Sequence, residues 1–463
     1  MTETLKLIPP KFVPPLDEKF RPAVLANRAF QQEVADSGVA VPLIFGLEGA
    51  NNTLSRFETN VFPANHPRAA ANLRYAERLL KFLLWQRGGW RIYVGGPEFI
   101  ADYLKKQYAP DGPRAFDFDF LGQKVYEKPF TIVSCQPHEV PSEHKDDRPL
   151  GRHLKGYRIG FDLGASDRKV SAVVDGEAIY SEEVVWQPRL NSDPQYHYNE
   201  VVAALKTAAS KMPRVDAIGG SSAGIYVNNR PMVASLFRGI PEERFDEIHN
   251  MFLRIRDEWN VPLEIINDGD VTALAGAMSL EDNAILGIAL GSSEAVGYVT
   301  REGNITGWLN ELSFAPVDYR PDGPIDEWSG DEGCGSQYFS QQCVFRLAPK
   351  AGIEIPTGIT DAERLKFVQE KLEAGHEGAT QIWRAIGIFM GYAVAHYAEF
   401  YDLKHVLILG RCTSGIGGDL ILHGANEVLK AEFPELNHIS IQLPDEKSRR
   451  VGQSIAAASL PII

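Results

Sequence analysis

The sequence predicts an α/β protein in which strands stop at polar or glycine turns, and three observations carry that expectation. Apolar strand-like runs end in Asn267-Asp268 and in Gly410, and a helix follows each of them. Two stretches, 157–177 and 284–299, read as β-hairpins around Gly-Ala-Ser and Gly-Ser-Ser turns. A long apolar helix is expected over 381–401.

Each element has a local reason. In 261–278 the strand leaves a carboxylate, Asp268, beside a helix N-terminus. A general base needs such a place, near a substrate hydroxyl but not solvated on every side. Taken alone, an Asn-Asp pair is more often a turn or a helix cap. The hairpin over 157–177 carries Asp162 just before its turn. Backbone N–H groups there suit phosphate and the carboxylate suits Mg²⁺ held through water, although an ordinary hairpin has the same pattern. A strand over 216–222 enters a loop rich in glycine and serine. The glycine turn of 410–418, before a helix, suits a nucleotide's base or ribose.

These segments, in this order, resemble the ROK family of sugar kinases, within the actin/hexokinase-like superfamily. Asp162-Leu-Gly-Ala-Ser166 is similar to its first phosphate motif, and Asn267-Asp268-Gly269-Asp270 to its catalytic Asn-Asp-Ala-Asn. Glu311-Leu-Ser-Phe314 is similar to Glu-x-Gly-His, Gly333-Cys334 to Gly-Cys-x-Glu, and Leu409-Gly410 and 450–458 to the C-terminal motifs. The resemblance covers 156–463. It implies a two-lobed, RNase H-like actin/hexokinase (ASKHA) fold preceded by an additional α/β domain. The implied division is 1–150 for that domain, 156–280 for the first lobe with a helix at about 449–460 returning to it, and 281–448 for the second.

The implied activity is ATP- and Mg²⁺-dependent phosphorylation of a sugar or sugar-derivative hydroxyl, with Asp268 as the base. Asn267, Glu311, Ser222 and Gly224 are expected to bind the substrate. Asp162, Gly164, Ser166, Gly291, Ser292, Gly410 and Gly415 are expected to serve the nucleotide, with Asp162 also organising Mg²⁺. The departures point elsewhere. Phe314 stands where the family has a zinc-binding His, and Cys334 is alone where the family has a Cys cluster, so no zinc is expected. Ser336 replaces a sugar-binding Glu, so plain glucose is not the expected substrate. The glycine-rich phosphate loop has become Gly291-Ser-Ser-Glu-Ala-Val-Gly297, and Glu294 would oppose a polyphosphate unless it points away or reaches a metal. Ser166-Asp167 replaces Thr-Lys. The competing readings are a degenerate ROK-like sugar sensor and non-kinase sugar chemistry in the same cleft.

Composition narrows the classes. The 463 residues can hold two or three domains, and 44% apolar content fits a globular chain. A net charge of −14 opposes non-specific nucleic-acid binding. Four cysteines without Cys-x-x-Cys spacing read as reduced thiols. No apolar run approaches a membrane span and the N-terminus has no signal-peptide core, so a cytoplasmic protein is expected. A homodimer is suggested by the resemblance alone, and the 381–401 helix suits either a core or an interface.

The first 150 residues match no family. A proline-rich extended arm over 1–17, a strand over 41–46, an amphipathic helix over 69–88, a strand over 90–94 and a helix to about 108 are expected. Residues 116–133 read as paired strands around Leu121-Gly122, and 136–154 as a linker. Val94-Gly-Gly-Pro97 reads as a turn between strand and helix, with the lining of a phosphate or sugar site as the alternative. His138, His144 and His153 lack metal spacing and read as solvated. His396 and Tyr397 read as core or interface residues. Trp308 and Trp328 suit either sugar stacking or packing, and Arg449-Arg450 offset the acidic surface.

Overall fold

The computed structural model describes residues 5–145, 150–444 and 446–463; the side chains of 446–451 also lie outside the description. The expectation for Arg449 and Arg450, and the 146–149 part of the expected linker, therefore fall outside the described residues. The protein is mixed α/β with the two-lobed hexokinase/ROK fold. It forms two compact units: one comprises 1–146, 288–295 and 307–443, the other 147–287, 296–306 and 444–463. Residues 1–146 thus share a unit with the long apolar helix.

The second unit is built on a five-stranded sheet in the order Leu263–Asn267, Ala217–Ser222, Tyr157–Leu163, Asp167–Val174, Glu177–Val185. The first three strands run parallel, and the last two continue as an antiparallel meander. The hairpin read from 157–177 is present. Helix Pro194–Ala209, which the sequence reading did not anticipate, covers one face and helps enclose Ile159, Phe161, Ile218 and Ile265.

Helix Glu446–Ala458 packs on the sheet where two glycines are partners in adjacent strands, Gly160 and Gly219. A Cβ at Gly160 would lie 1.8 Å from Ser454 O, and one at Gly219 1.7 Å from Ala457 O. Backbone therefore rests on backbone, which only glycine permits. Arg158, buried beside this seam, donates to the carbonyls of Ala458 and Pro461.

In the first unit, a four-stranded sheet runs in the order Leu54–Val61, Val41–Glu48, Arg91–Gly95, Thr131–Cys135. A second sheet runs Glu294–Val299, Ile285–Leu290, His405–Leu409, Ser440–Gln442. Helix Glu377–Tyr397 lies along helix Ile416–Glu432, with Ile382 through Tyr397 almost wholly buried. The extended N-terminal arm is pinned to this unit: Phe12 N–H donates to Tyr392 Oη, and Asp17 pairs with Arg320 and Arg346.

Two expectations for the N-terminal segment change. Residues 116–133 are not paired strands: Ala115–Asp119 is helical, Phe120–Val125 is a π-turn, and only Thr131–Cys135 is a strand. Phe116 and Phe120, four residues apart, put their rings on one side against Trp85, a helical spacing. The expected linker is partly ordered packing, since Leu54 and His144 exchange both backbone hydrogen bonds at the sheet edge and Val140 is buried.

Helix Ala71–Arg87 has no solvent face. Glu77, Arg78, Lys81 and Gln86 are as buried as its leucines. The charges face other charges instead, which is why a polar stripe in the sequence did not mark the surface.

Gly219→Ala is expected to cost at least about 3 kcal/mol of stability, because neither a helix carbonyl nor a central strand can yield. Chemical denaturation of the variant beside wild type measures it; an unchanged midpoint would show that the helix does not rest on the sheet.

Candidate functional site

The C-terminal ends of the three parallel strands bring together Asp162, Ser221, Ser222 and Asn267, with Asp268 next in the chain. Ligands of open α/β sheets bind at such strand ends. Ser221 Oγ donates to Asp162 Oδ1 at 2.6 Å. Asn267 caps helix Asp268–Leu280: its Oδ1 accepts from Gly269 N–H at 2.7 Å, and its Nδ2 donates to Gly224 O at 2.8 Å. Each amide atom retains capacity for one further bond. The cap reading of the Asn-Asp pair is therefore satisfied, and it leaves Asn267 and Asp268 at the strand end.

The start of that helix is set by a close backbone approach. A Cβ on Gly269 would lie 2.6 Å from Val296 O, and one on Gly297 2.0 Å from Gly269 O. Asp270 Oδ1 accepts from Tyr298 N–H in the same seam. Asp268 is thus held between its own strand and the neighbouring hairpin.

Electrostatics distinguishes the two acids. Asp268 is partly buried, and that burial together with the charge of Asp162 pushes its pKa up to about 6, against the opposing hydrogen bond from Gly269 N–H. Burial likewise raises Asp162, with the Ser221 bond and Lys169 offsetting part of the shift. Two carboxylates sharing one field in this way can take up a proton near neutrality.

Gly224 has φ +127° and is packed against Val233 O and Ala234, so no other residue fits there without strain. Sequence reasoning missed Tyr226. Its hydroxyl is buried beside that of Ser222 and within the field of Asp268, and neither hydroxyl has a well-aligned partner beyond the other. Buried polar groups are normally satisfied, so this pair beside Asp268 retains capacity for a further polar partner. The only sequence signal was an aromatic five residues after Ser221.

The turn after Asp162 is more committed than expected. Gly164 N–H donates to Asp167 O at 2.9 Å, and Gly164 O accepts from Trp186 Nε1 at 2.8 Å. Ser166 is exposed and donates to Asp167, which pairs with Lys169 at 3.2 Å.

The remaining predicted residues lie in the other unit. Gly291 N–H closes its own turn onto Ser293 O, and Gly291 O accepts from Gln341 N–H; Ser292 is exposed at the tip. Gly410, at φ +101°, passes so close to the neighbouring strand that a Cβ would lie 2.4 Å from Leu290 O. Gly415 precedes helix Ile416–Glu432, whose Ile416 N–H donates to the Glu373 carboxylate at 3.2 Å. Glu311 is half-buried, and its N–H donates to Trp85 O at 2.9 Å.

Glu294 points away from solvent. It is 2% exposed, accepts from Tyr397 Oη at 3.2 Å, and lies against Gly335. Burial, with the Glu311 charge adding to it and the Tyr397 bond opposing, pushes its pKa up to about 8. It carries a proton at neutral pH and sets no negative charge against a polyphosphate.

Phe314 packs in an aromatic cluster, 4.4 Å from the Trp85 ring. Trp308 packs on Tyr401 and the Arg87 guanidinium, whereas Trp328 is 62% exposed. His396 is buried among Phe82, Tyr397 and Phe400, and burial lowers its pKa to about 3. Among the described residues no group of three or more His, Cys, Asp or Glu side chains could hold a metal, and no helix is long and apolar enough to cross a membrane.

No protein-family model and no curated protein sequence matches the chain. Solved structures do. A ROK hexokinase from Thermus thermophilus aligns with a TM-score of 0.51 and 16% identity, over 66% of this chain and 98% of its own. The chain has the ROK-type, actin/hexokinase-like kinase fold. A ROK family transcriptional regulator, homologous to the E. coli MLC protein, aligns at 0.50 with 16% identity, over 66% of this chain and 78% of its own. A ROK glucokinase from Streptomyces griseus, solved with glucose and AMPPNP, aligns at 0.48 with 18% identity, over 65% and 98%. The ROK fold thus occurs in both sugar kinases and regulators.

The buried Glu294 gives a pH signature with a definite sign. Its folded pKa of about 8 lies above the ordinary glutamate value of 4.5, so the folded state binds the extra proton and loses stability as pH rises between them. Glu294→Gln should remove this loss, on the order of a few kcal/mol between pH 5 and 8. Urea unfolding at both pH values measures it, and equal pH slopes in variant and wild type would contradict the burial.

Proposed function

We propose that the protein transfers a phosphoryl group from ATP to a hydroxyl of a sugar or sugar derivative, with Asp268 as general base. The observation that carries this reading is Asp268 itself, at the end of a parallel strand, beside the buried hydroxyls of Ser222 and Tyr226, with a pKa near that of an effective base at neutral pH. Ser222, Tyr226 and Asn267 supply hydrogen bonds that fix the acceptor, with Gly224 shaping the loop beside them. Glu311 is assigned to another sugar hydroxyl. Asp268 would take the proton of the acceptor oxygen as that oxygen bonds to the γ-phosphorus and the bond from that phosphorus to the β,γ-bridging oxygen breaks, ADP leaving with the bridging oxygen, and would hand the proton to solvent afterwards. Such transfer depends on positioning and charge rather than on covalent steps.

The oxygen donors at Asp162 fit Mg²⁺. The carboxylate is a hard donor, and burial raises its pKa beyond what Ser221 and Lys169 offset, a cost that a cation would relieve. A lone carboxylate suits an ion held mostly through water and nucleotide phosphates, where it offsets developing charge. Because Gly164 and Gly291 use their N–H groups within their own turns, phosphate contacts are assigned to the turn tips at Ser166 and Ser292. Gly410 and Gly415 are assigned to the base and ribose side. Zinc has no part in this reading.

A sugar-binding sensor is the second reading. Glu373 favours it, because its carboxylate occupies the helix N-terminus beside Gly415, where a nucleotide would otherwise find backbone donors.

Asp268→Asn should lower sugar-dependent ADP release by at least about 10³-fold, at the upper part of the range for losing a general base plus its positioning. Sugar affinity should stay within about threefold. In wild type kcat/KM should fall below pH about 6, as Asp268 gains its proton. A variant that keeps near-native turnover would remove Asp268 from the mechanism.

A further inference from the structure

We infer that the N-terminal segment forms the fixed backing of the substrate loop 308–314, and that Trp85 is the positioning residue that holds Glu311. The inference rests on the reading of Glu311 as a substrate contact.

Helix Ala71–Arg87 ends by turning its last carbonyls toward this loop. Trp85 O accepts from Glu311 N–H, and Gln86 O from Asn310 N–H, both at 2.9 Å. These are acceptors a helix end leaves unpaired, and the loop satisfies them. The helix stops at Gly88, whose φ of +79° and closeness to Tyr126 and Leu309 exclude a side chain.

The loop itself is bent. Asn310 is buried with φ +51°, a conformation that persists only when its surroundings enforce it. Those surroundings are on both sides: Tyr401 Oη donates to Asn310 Oδ1 at 3.0 Å, and Gln86 Nε2 donates to Phe400 O at 3.1 Å.

Trp85 joins three of these supports in one residue. Its carbonyl holds Glu311, its ring lies 4.4 Å from Phe314, and its Nε1 donates to Asp117 Oδ1 at 3.0 Å. Asp117 pairs with Lys81, which reaches Asp331 at 3.3 Å. Asp331 in turn binds Arg78 at 3.0 Å and Arg114, and Glu77 binds Arg78 and Arg114. Three cations and three anions, all but Arg114 nearly free of solvent, thus clamp 331 to the helix that carries Trp85. Removing one member would strand a buried charge, so the cluster tolerates no slack. Residues before 126 thus hold the loop by carbonyls at 310–311 and by rings at 314, and hold Asp331 further along the chain by ions, while Tyr401 and Trp328 add contacts from later in the chain.

Hydrogen–deuterium exchange of the full chain, read on peptides spanning 308–316 without any ligand, tests this. Trp85→Ala should speed exchange there at least tenfold, Trp85→Phe less than threefold, and peptides of the strand His405–Leu409 should not change. Unchanged exchange at 308–316 in Trp85→Ala, or an equal rise in all peptides of that unit, would overturn the positioning role. Should Trp85→Ala fail to fold, Phe116→Ala, at the half-buried rim of the cluster, should speed the same peptides at least threefold, and no change in it would overturn the proposal. In the ADP-release assay Trp85→Ala should raise the sugar KM at least tenfold and leave the KM for Mg-ATP unchanged. Absence of turnover in wild type would count against the kinase reading, while the exchange result would still decide the positioning role.

Discussion

Two carboxylates that repel each other, Asp162 and Asp268, are the constraint on which the candidate site depends. Adjacent parallel strands end beside one another, so residues at those ends share a small volume whatever the rest of the chain does. Placing two acids there costs free energy that folding must supply. The Ser221 hydroxyl and the Gly269 amide offset part of it, and the remainder appears as raised pKa values. Such an arrangement makes sense where a proton must be accepted and a cation welcomed. It is costly where neither happens.

The other unit solves a different problem. Its loop 308–314 carries Phe314 where the sequence resemblance led to the expectation of a metal-binding His, and the single Cys334 offers no cluster. The chain holds the same stretch through apolar packing on Trp85 and through buried ion pairs centred on Asp331. Charges and rings from the first 146 residues therefore do structural work at a loop more than 180 residues away. This explains why those residues share a compact unit with 307–443.

Much of the fold could be read from the chain because its turns are glycine-dependent for local reasons. The hairpin after Asp162, the strand before Asp268 and the Gly410 turn each announce themselves by an apolar run and a residue that tolerates close approach. The N-terminal segment was less legible. Glu77, Arg78 and Lys81 look like a solvated stripe until their partners, Asp331 and Arg114, are brought from afar. Residues 116–133 alternate well enough for strands, and only the distant Trp85 ring makes a helical face the better use of Phe116 and Phe120. At the site, Asp268 and Asp162 were recoverable from motif order, whereas Tyr226 was not, since its value lies in a buried hydroxyl beside Ser222 that no spacing encodes. Glu294 stayed open for the same reason: sequence shows a charge but not that the side chain turns inward, where burial raises its pKa against the opposing Tyr397 hydrogen bond.

The measurement that tests the account most directly is a calorimetric titration of the purified chain with Mg-ATP, which requires no knowledge of the sugar. The account predicts saturable binding at a single site. A flat titration of protein shown by mass spectrometry to be free of bound nucleotide would contradict phosphoryl transfer from ATP, and leave the strand-end carboxylates to serve sugar binding alone.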